Sequence, residues 1–349
     1  MICWILEYWS SALQFVASLT RDAGEIRRLI RLWNDSGDPR NPFANMLVTP
    51  IFTPPSTLDL VRKLKEEGVV KQIFFDSGGF FVQMGRISYE DMYWQLLQFY
   101  RSNLWGDWYT LPDYVPLSSD DEQTSWYKVR RTADGSRLFH QELPEKIKAK
   151  TLAVVQGRSI AQIEYCLEVY LRTGTERWGF GSFGTNGKQS NANIVTEEAF
   201  KLLNYVADIA ASDNRHLHAF GVSTPPAIYL LGESGVNSFD SIGWMKTAGY
   251  GKVYLPFVRA YNVTYRDKSA RGMPAQVFEE LKVRSGHECA FCADFRMLET
   301  SRTHRILHNL AVIQDMVDMI QERTFGDDLL QIMGEYAPTY ARLRSIAES

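Results

Sequence analysis

Four polar residues stand at the C-terminal ends of short apolar runs, where they could act together on one bond. They are Asp76, Asp113, Gln156 and Asp240. Two carboxylates that face each other across a pocket suit cleavage of a glycosidic bond, one as nucleophile or charge stabiliser and the other as general acid and base. Each aspartate alone could equally cap the helix or turn that follows it. Their shared placement favours one common site.

The residues after Asp76 form the unusual turn sequence Asp76-Ser-Gly-Gly-Phe80. Two consecutive glycines allow a tight turn with exposed amide groups, and the ring of Phe80 beyond them can stack on a flat heterocycle. Asp240 lies in Ser238-Phe-Asp-Ser241 and is the second carboxylate of the predicted pair.

A second group of residues has the spacing of a metal site. His287 and Cys289 precede Cys292, and His308 follows on a predicted helix. Two thiolates and two imidazoles fit closed, tetrahedral Zn²⁺ of the structural kind. His304 competes with His308 because both would lie on one helix face. Buried free thiols beside surface histidines are the alternative interpretation. His140, His216 and His218 are interpreted as structural.

The segment Gly179-Phe-Gly-Ser-Phe-Gly184 matches GxGxxG, but we reject a nucleotide cofactor. That motif needs a helix that begins at once, so that its N-terminus holds a pyrophosphate. Here a polar loop, 185–193, follows instead. The glycines more readily allow the backbone to approach a small ligand.

The alternation of apolar runs with amphipathic stretches predicts a single (β/α)8 barrel. All strand ends of such a barrel surround one mouth, where barrel enzymes place their chemistry. Candidate helices lie at 57–67, 89–102, 160–173 and 196–211. The eight candidate strands are 46–50, 72–76, 108–113, 152–156, 177–181, 217–222, 237–240 and 252–255.

We predict that residues 1–43 form an N-terminal helical extension, and that 44–349 form the barrel domain with a zinc element at about 285–308. Helical spacing through Ile26, Leu29 and Ile30 supports the extension. The first twenty residues lack a basic region and contain Glu7, which favours a packed helix over a signal peptide.

The composition is that of an ordinary globular protein. The 38 Lys and Arg against 41 Asp and Glu give a net charge of -3, which excludes a histone-like grip on nucleic acid but leaves room for a local basic patch. Such a patch is the stretch 259–271, where Arg259, Tyr261 and further basic and aromatic residues alternate; a solvated loop has the same composition. Four cysteines in so long a chain do not form a disulfide framework. Together with the predicted metal site, this indicates a reducing, cytoplasmic location. No transmembrane helix is expected.

These motifs together resemble the tRNA-guanine transglycosylases, barrel enzymes with a zinc-bearing insertion near the C-terminus. The similarity extends from about Thr49 to His308, and the turn after Asp76 is its most specific part. The matching segments are Val48-Thr-Pro-Ile-Phe-Thr-Pro-Pro-Ser56, Asp76-Ser-Gly-Gly-Phe80, Leu111-Pro-Asp-Tyr-Val-Pro116, Val154-Val-Gln-Gly157, Gly181-Ser-Phe183, Ala219-Phe-Gly-Val-Ser-Thr-Pro225, Ser238-Phe-Asp-Ser241 and His308-Asn309.

The resemblance implies a role for each matching residue. Asp240 would attack the anomeric carbon and displace guanine, and Asp76 would handle the proton of the departing and incoming bases. Asp113 would accept hydrogen bonds from guanine, and Gln156 would donate to its O6. The remaining substrate-binding positions are the stacking rings of Phe80 and Phe220 and the backbone at Gly181, Ser182 and Gly221.

With its departures from the family pattern, the sequence resembles the DNA-modifying branch, the DeoxyPurine-in-DNA protein A type. His287 replaces the first cysteine of the family's CxCxxC, and the basic anticodon-reading segment after Asp240 is absent. We therefore expect exchange of guanine in DNA for a 7-deazaguanine such as the 7-cyano form, without a nucleotide cofactor. Partner proteins that open or present the DNA, and a homodimer, are compatible with this interpretation.

Three other functions stay open at this point. The same exchange on tRNA, of the queuosine and archaeosine type, is the first alternative. A plain barrel glycoside hydrolase would use the same carboxylates, although Asp113, Gln156 and Phe80 suit guanine. A catalytically inactive nucleic-acid-binding subunit is disfavoured because both carboxylates are present.

Overall fold

A computed structural model describes residues 13–19, 22–183, 196–222, 224–264 and 272–336. Eight parallel strands close into a barrel in chain order, because the first strand pairs with both the second and the eighth. This confirms the predicted (β/α)8 barrel. The barrel strands are β1 (Gln14–Ser18), β2 (Asn45–Val48), β3 (Gln72–Phe75), β4 (Trp108–Thr110), β5 (Thr151–Val155), β6 (Arg177–Phe180), β7 (His216–Ala219) and β8 (Ser238–Ser241).

Helices connect these strands and surround the barrel. Several begin at side-chain caps: the hydroxyl of Ser159, for example, accepts a hydrogen bond from the amide of Gln162. The helices of the described residues are α1 (Ala23–Asp35), α2 (Pro55–Glu66), α3 (Gly79–Gln83), α4 (Tyr89–Ser102), α5 (Glu122–Glu142), α6 (Glu145–Lys148), α7 (Ile160–Thr173), α8 (Glu197–Ser212), α9 (Pro225–Glu233), α10 (Gly243–Gly249), α11 (Ala275–Arg284), α12 (Phe295–Thr300), α13 (Arg302–Glu322) and α14 (Asp327–Tyr336). A short 3₁₀ helix, Pro50–Phe52, follows β2.

The two faces of the strands pack into separate apolar regions. Side chains such as Phe15 and Ile73 point outward into the main core beneath the helices. Val16, Leu47 and Phe74, which alternate with them, form a smaller cluster of their own inside the barrel. Because successive side chains alternate between the faces, the residues two positions further along these strands line the mouth.

The predicted N-terminal boundary is wrong. Gln14–Ser18 form the first barrel strand and Ala23–Asp35 the first outer helix, so the barrel begins well before residue 44. The helical periodicity around Ile26 was a sound indication of a helix, but the polar Gln14 and Ser18 hid the short strand. The earlier residues 1–12 lie outside the described part of the chain.

The last predicted strand also has a different place. Lys252–Val253 (β9) pairs antiparallel with Tyr261–Asn262 (β10) in a separate two-stranded sheet outside the barrel. The predicted number of eight barrel strands was therefore right, but the predicted strand 252–255 is not one of them. Among the helices of the described residues, none has the length and apolar character that crossing a membrane would require.

Candidate functional site

The mouth of the barrel, defined here by Asp76, Asp113, Gln156 and Asp240, brings the four strand-end residues together. Asp76 follows β3, and the hydroxyl of Thr49 at the end of β2 donates a 2.8 Å hydrogen bond to its Oδ2. The pKa of Asp76 is raised to about 7, mainly by burial and also by the charges of Asp113 and Asp240, and the hydrogen bond from Thr49 opposes this rise. Asp113 and Asp240 are thus close enough to Asp76 to affect its ionisation.

Asp113 and Gln156 are buried and hydrogen-bonded to each other. Gln156 Nε2 donates to Asp113 Oδ2 at 2.7 Å, and the hydroxyl of Ser77 donates to Asp113 Oδ1 at 2.5 Å. Ser182 Oγ donates to Gln156 Oε1 at 2.6 Å and accepts from the amide of Gly157 at 2.8 Å. Burial raises the pKa of Asp113, against these donors. The chain of bonds fixes the amide of Gln156 with its NH₂ toward Asp113.

Two glycines are needed where the backbone passes these side chains. A Cβ atom at Gly79 would lie 2.2 Å from Asp113 Oδ1, and one at Gly181 would lie 2.6 Å from Gln156 Nε2. Neither neighbour is free to move, because both belong to the buried network. The turn sequence after Asp76 therefore provides space for Asp113, in addition to the positive φ of Gly78.

Asp240 is held by groups from the two strands that flank β8, namely β1 and β7 with the turn after it. Ser18 Oγ of β1 donates to Asp240 Oδ2 at 2.5 Å, and the amide of Gly221 donates to Oδ1 at 2.8 Å. His218 Nε2 lies 3.3 Å from the same Oδ1. The carboxylate is buried, and these three residues surround it with polar groups.

Phe80 and Phe220 have different environments. The ring of Phe80 is 38% exposed, and Lys246 Nζ of α10 lies 6.0 Å from its centroid. Phe220 packs against the apolar cluster inside the barrel, and its ring lies where a Cβ of Gly179 would be, only 2.3 Å from Cε2. Phe80 thus lies at the rim of the mouth, while Phe220 lies deeper.

The predicted metal ligands form one buried cluster, His287, Cys289, Cys292 and His308, with ligand atoms within 4.8 Å of one another. His287 Nε2 is 3.3 Å from His308 Nδ1, the two sulfur atoms are 3.3 Å apart, and Cys289 Sγ is 3.5 Å from His308 Nδ1. A tetrahedron with metal–ligand bonds of about 2.0 to 2.3 Å has edges of roughly 3.3 to 3.8 Å, so this His/Cys cluster fits a metal ion such as zinc.

Outer partners orient both imidazoles of the His/Cys cluster. His308 Nε2 donates to the carbonyl of Tyr254 at 2.9 Å, which leaves Nδ1 toward the other ligands. His287 Nδ1 is hydrogen-bonded to Asp315, which also forms an ion pair with Arg40. Carboxylate and carbonyl partners of this kind fix the ring and its tautomer in metal sites.

His304 is outside the His/Cys cluster. Its Nδ1 lies 3.0 Å from the hydroxyl of Ser301, the N-cap of α13. This settles the choice of fourth ligand in favour of His308, one turn further along the helix.

Four residues of the mouth were not predicted to be functional: Ser18, Thr49, Ser77 and His218. Each donates or can donate to one of the three carboxyl groups. A signal for His218 was present, since two-residue alternation on β7 places His216, His218 and Phe220 on one face. Ser18 was missed because its strand lies in the segment 1–43, which was predicted to be helical.

Part of the predicted site lies outside the described residues. This applies to Gly184 of the glycine-rich segment and to most of the basic and aromatic stretch, 265–271. Of that stretch, Arg259 is exposed and stacks on Tyr261 with its guanidinium carbon 5.0 Å from the ring centroid.

A scan against protein-family models finds no family that matches the chain, and a search among curated proteins finds no match either. The geometry of the mouth and of the His/Cys cluster is therefore the basis for any functional assignment.

Proposed function

We propose that the protein is a guanine transglycosylase, which exchanges guanine in DNA for a 7-deazaguanine such as the 7-cyano form. The observation that carries this proposal is the combination at the mouth of two carboxylates with a buried donor and acceptor pair. Asp76 and Asp240 suit the exchange of a glycosidic bond, and Asp113 with Gln156 suits the edge of guanine. The resemblance to the tRNA-guanine transglycosylases assigns the same roles to these residues.

In the first half of the reaction Asp240 attacks the anomeric carbon. A bond forms between a carboxylate oxygen and C1′, the bond from C1′ to the base nitrogen breaks, and its electron pair leaves with guanine. Protonated Asp76 supplies the proton that the departing base needs. A carboxyl group with a pKa of about 7 can hold this proton at neutral pH and release it again.

The second half reverses these steps with a different base. The ionised Asp76 accepts the N–H proton of the incoming 7-deazaguanine, and the base nitrogen attacks C1′. The bond to Asp240 breaks and its electron pair returns to the carboxylate. Protons and charges balance over the cycle, so the residues of the mouth need no redox or nucleotide cofactor.

Recognition of the base rests on Asp113 and Gln156. Asp113 offers acceptor oxygens to the ring N–H and amino group of guanine, and the Gln156 amide offers a donor to O6. A 7-deazaguanine presents the same edge, which explains how one pocket can serve both bases. Phe80 at the rim supplies an aromatic face.

The His/Cys cluster supports a structural zinc ion. Its four protein ligands leave no position for a water molecule, as expected for a site that stabilises the fold. His287, Cys289, Cys292 and His308 would hold the ion, while α13 connects it to the barrel through contacts with β1.

DNA is the preferred polymer. A 2-deoxy sugar lacks the electron-withdrawing hydroxyl that opposes an oxocarbenium-like transition state, so two carboxylates suffice. The segment after Asp240 folds as the short helix α10 and carries a single lysine, Lys246, in place of a basic anticodon-reading motif. Guanine in a duplex must leave the stack, at a cost of a few kcal/mol, which partner proteins that open the DNA would reduce.

The test offers 7-cyano-7-deazaguanine together with DNA and tRNA, followed by digestion to nucleosides and mass spectrometry. We expect to find the modified base on deoxyribose. In Asp240→Asn the rate of its incorporation should fall by at least about a thousandfold. Asp59→Asn, the same change on the exposed face of α2, is the matched control.

Three outcomes would contradict the proposal in different ways. Modified base on ribose alone, even with added partner proteins, would replace DNA by tRNA and leave the mechanism intact. Release of sugar without base incorporation would indicate a glycoside hydrolase. Binding of nucleic acid with neither reaction would indicate a catalytically inactive subunit.

A further inference from the structure

A line of hydrogen-bonding groups runs from the carboxylate of Asp240 into the barrel. His218 Nε2 lies 3.3 Å from Asp240 Oδ1, and His218 Nδ1 lies 2.8 Å from the hydroxyl of Ser238. The same hydroxyl is 2.7 Å from His216 Nε2. His218 and Ser238 are fully buried, and β7 and β8 place them side by side in register. The nucleophile proposed above therefore has a buried histidine chain behind it.

We infer that His218 is a positioning residue for Asp240, held by Ser238 and His216 in the tautomer that directs an N–H at the carboxylate. The inference rests on the proposed role of Asp240 as nucleophile. It adds a residue to the mouth that acts through Asp240 and touches neither the base nor the sugar.

The direction of the chain follows from what each group can donate. A carboxylate only accepts, so Nε2 of His218 carries a proton, and in the tautomer that we infer Nδ1 is an acceptor. The hydroxyl of Ser238 then donates to Nδ1, and its oxygen accepts from the Nε2–H of His216. Burial lowers the pKa of His216 to about 3, which keeps that ring neutral with a single N–H. Every donor in the line thus has one acceptor.

Aromatic packing restricts the ring of His218. The ring of Phe220 lies 4.6 Å away in an edge-on arrangement, and the ring of Phe74 lies 5.5 Å away. Phe74 in turn stacks on Trp108 at 4.9 Å. An imidazole in these surroundings cannot rotate without displacing the apolar cluster of the barrel interior.

The consequence for Asp240 is a difference between its two oxygens. Oδ1 accepts from the amide of Gly221 and from His218, while Oδ2 accepts only from Ser18 among these donors. Oδ2 therefore keeps the more available lone pair for attack on C1′. When the incoming base displaces the ester, the two donors at Oδ1 stabilise the carboxylate that re-forms.

The first test reads the tautomer of His218 directly. Protein with nitrogen-15-labelled histidine is measured by two-bond proton–nitrogen correlation, and the His218 signals are assigned by their loss in His218→Gln. We expect the Nε2–H tautomer in the wild type and a shift of both ring nitrogens in Ser238→Ala. Ser136→Ala, which removes a buried hydroxyl from α5, should leave these signals unchanged. An Nδ1–H tautomer would overturn the inference.

The second test separates positioning from folding. His218→Leu should lower kcat of base exchange about tenfold to a hundredfold, the effect of losing one hydrogen bond to a charged group, with KM for the base within about twofold. His218→Gln, which keeps an N–H near the Nε2 position, should recover part of the loss. His140→Leu on the outer helix α5 is the control. Full kcat in a folded His218→Leu, or equal loss in a folded His218→Gln, would contradict a positioning role.

The two tests keep this inference separate from the proposed function. If the wild type exchanges no base on any polymer, the proposed function fails while the tautomer measurement still decides the hydrogen-bond chain. If exchange occurs and the tautomer or the variants disagree, the positioning role alone is wrong. Where His218→Leu does not fold, His218→Gln and Ser238→Ala give the answer.

Discussion

The mouth and the His/Cys cluster are both buried and polar, but they are built from the chain in opposite ways. The cluster takes its four ligands from 22 consecutive residues, 287–308, and each imidazole has one outer partner. The mouth collects its side chains from strand ends between Ser18 and Asp240, more than 200 residues apart in the chain. A cluster of local origin can form as a unit, whereas the mouth exists only when the barrel closes.

Two aspartates make the difference visible in their ionisation. Burial alone would raise the pKa of Asp38, but the hydrogen bonds and charge of Arg40 outweigh it, and the pKa is lowered. Arg40 joins Asp38 to Asp315 and so to His287. At the mouth, burial and neighbouring carboxylates raise the pKa of Asp76 to about 7. The ion pairs of Arg40 stabilise the fold. The mouth instead keeps the pKa of the Asp76 carboxyl group near neutral pH, at a cost in stability.

The largest effect should follow from breaking the His/Cys cluster. Structural zinc sites contribute on the order of 10 kcal/mol, which is comparable to the whole stability of a domain. We expect Cys292→Ala, or strong chelation, to remove the metal and lower the melting temperature by more than about 10 °C. Metal analysis and thermal unfolding measure both effects.

Cys166→Ala is the matched control, because Cys166 is buried on α7 and its thiol donates only to the carbonyl of Gln156 among the bonds described. It should keep the metal and lose far less stability. A Cys292→Ala protein that keeps both its metal and its melting temperature would contradict the assignment of the His/Cys cluster.

The next effect has the opposite sign and lies at the mouth. Because the pKa of Asp76 is raised from 3.8 to about 7, the folded state keeps a proton that the unfolded state releases, and stability falls as the pH rises from about 4 to about 7. At pH values above about 7, the free energy of unfolding is lower by up to about 4 kcal/mol for this reason. Asp76→Asn should therefore be more stable than the wild type at about pH 8, and the difference should shrink toward about pH 5.

Chemical denaturation at several pH values, with Asp59→Asn as the control for the same change on an exposed helix face, measures this difference. The variant should at the same time lose base exchange. If Asp76→Asn were less stable than the wild type at about pH 8, the contrast between the two regions would not hold.

A smaller effect tests the outer partner of His287. Asp315→Asn removes the carboxylate that orients the ring, and we expect metal affinity to fall about tenfold to a hundredfold, measured by competition with a chromophoric chelator. Asp318→Asn, at the next acidic position on α13, should leave the affinity unchanged. Equal loss in both variants would indicate a general charge effect instead of a specific contact.

The same contrast explains what could be predicted from the sequence. The spacing of His287, Cys289 and Cys292 on one short segment identified the His/Cys cluster, since metal ligands that are neighbours in sequence need little tertiary information. Asp76, Asp113, Gln156 and Asp240 were found because strand ends of a barrel share one mouth. Ser18 and the strand that carries it were missed, because a five-residue strand with polar residues at both ends has no clear periodicity. His218 was interpreted as structural because its contact with Asp240 depends on the register of β7 and β8.

The smallest effect concerns Thr49, whose hydroxyl donates to Asp76 Oδ2. A donor to the charged form favours ionisation, so Thr49→Val should raise the pKa of Asp76 still further, by up to about one unit for a bond worth about 1 kcal/mol. In the proposed mechanism the release of guanine from nucleic acid needs protonated Asp76, so the rate of release should fall at a higher pH in the variant than in the wild type. The control is Thr53→Val, because the hydroxyl of Thr53 donates only to the backbone carbonyl of Thr49 among the bonds described. This variant should leave the pH at which the rate falls unchanged. A shift to lower pH in Thr49→Val would mean that Asp76 is not the group that supplies the proton.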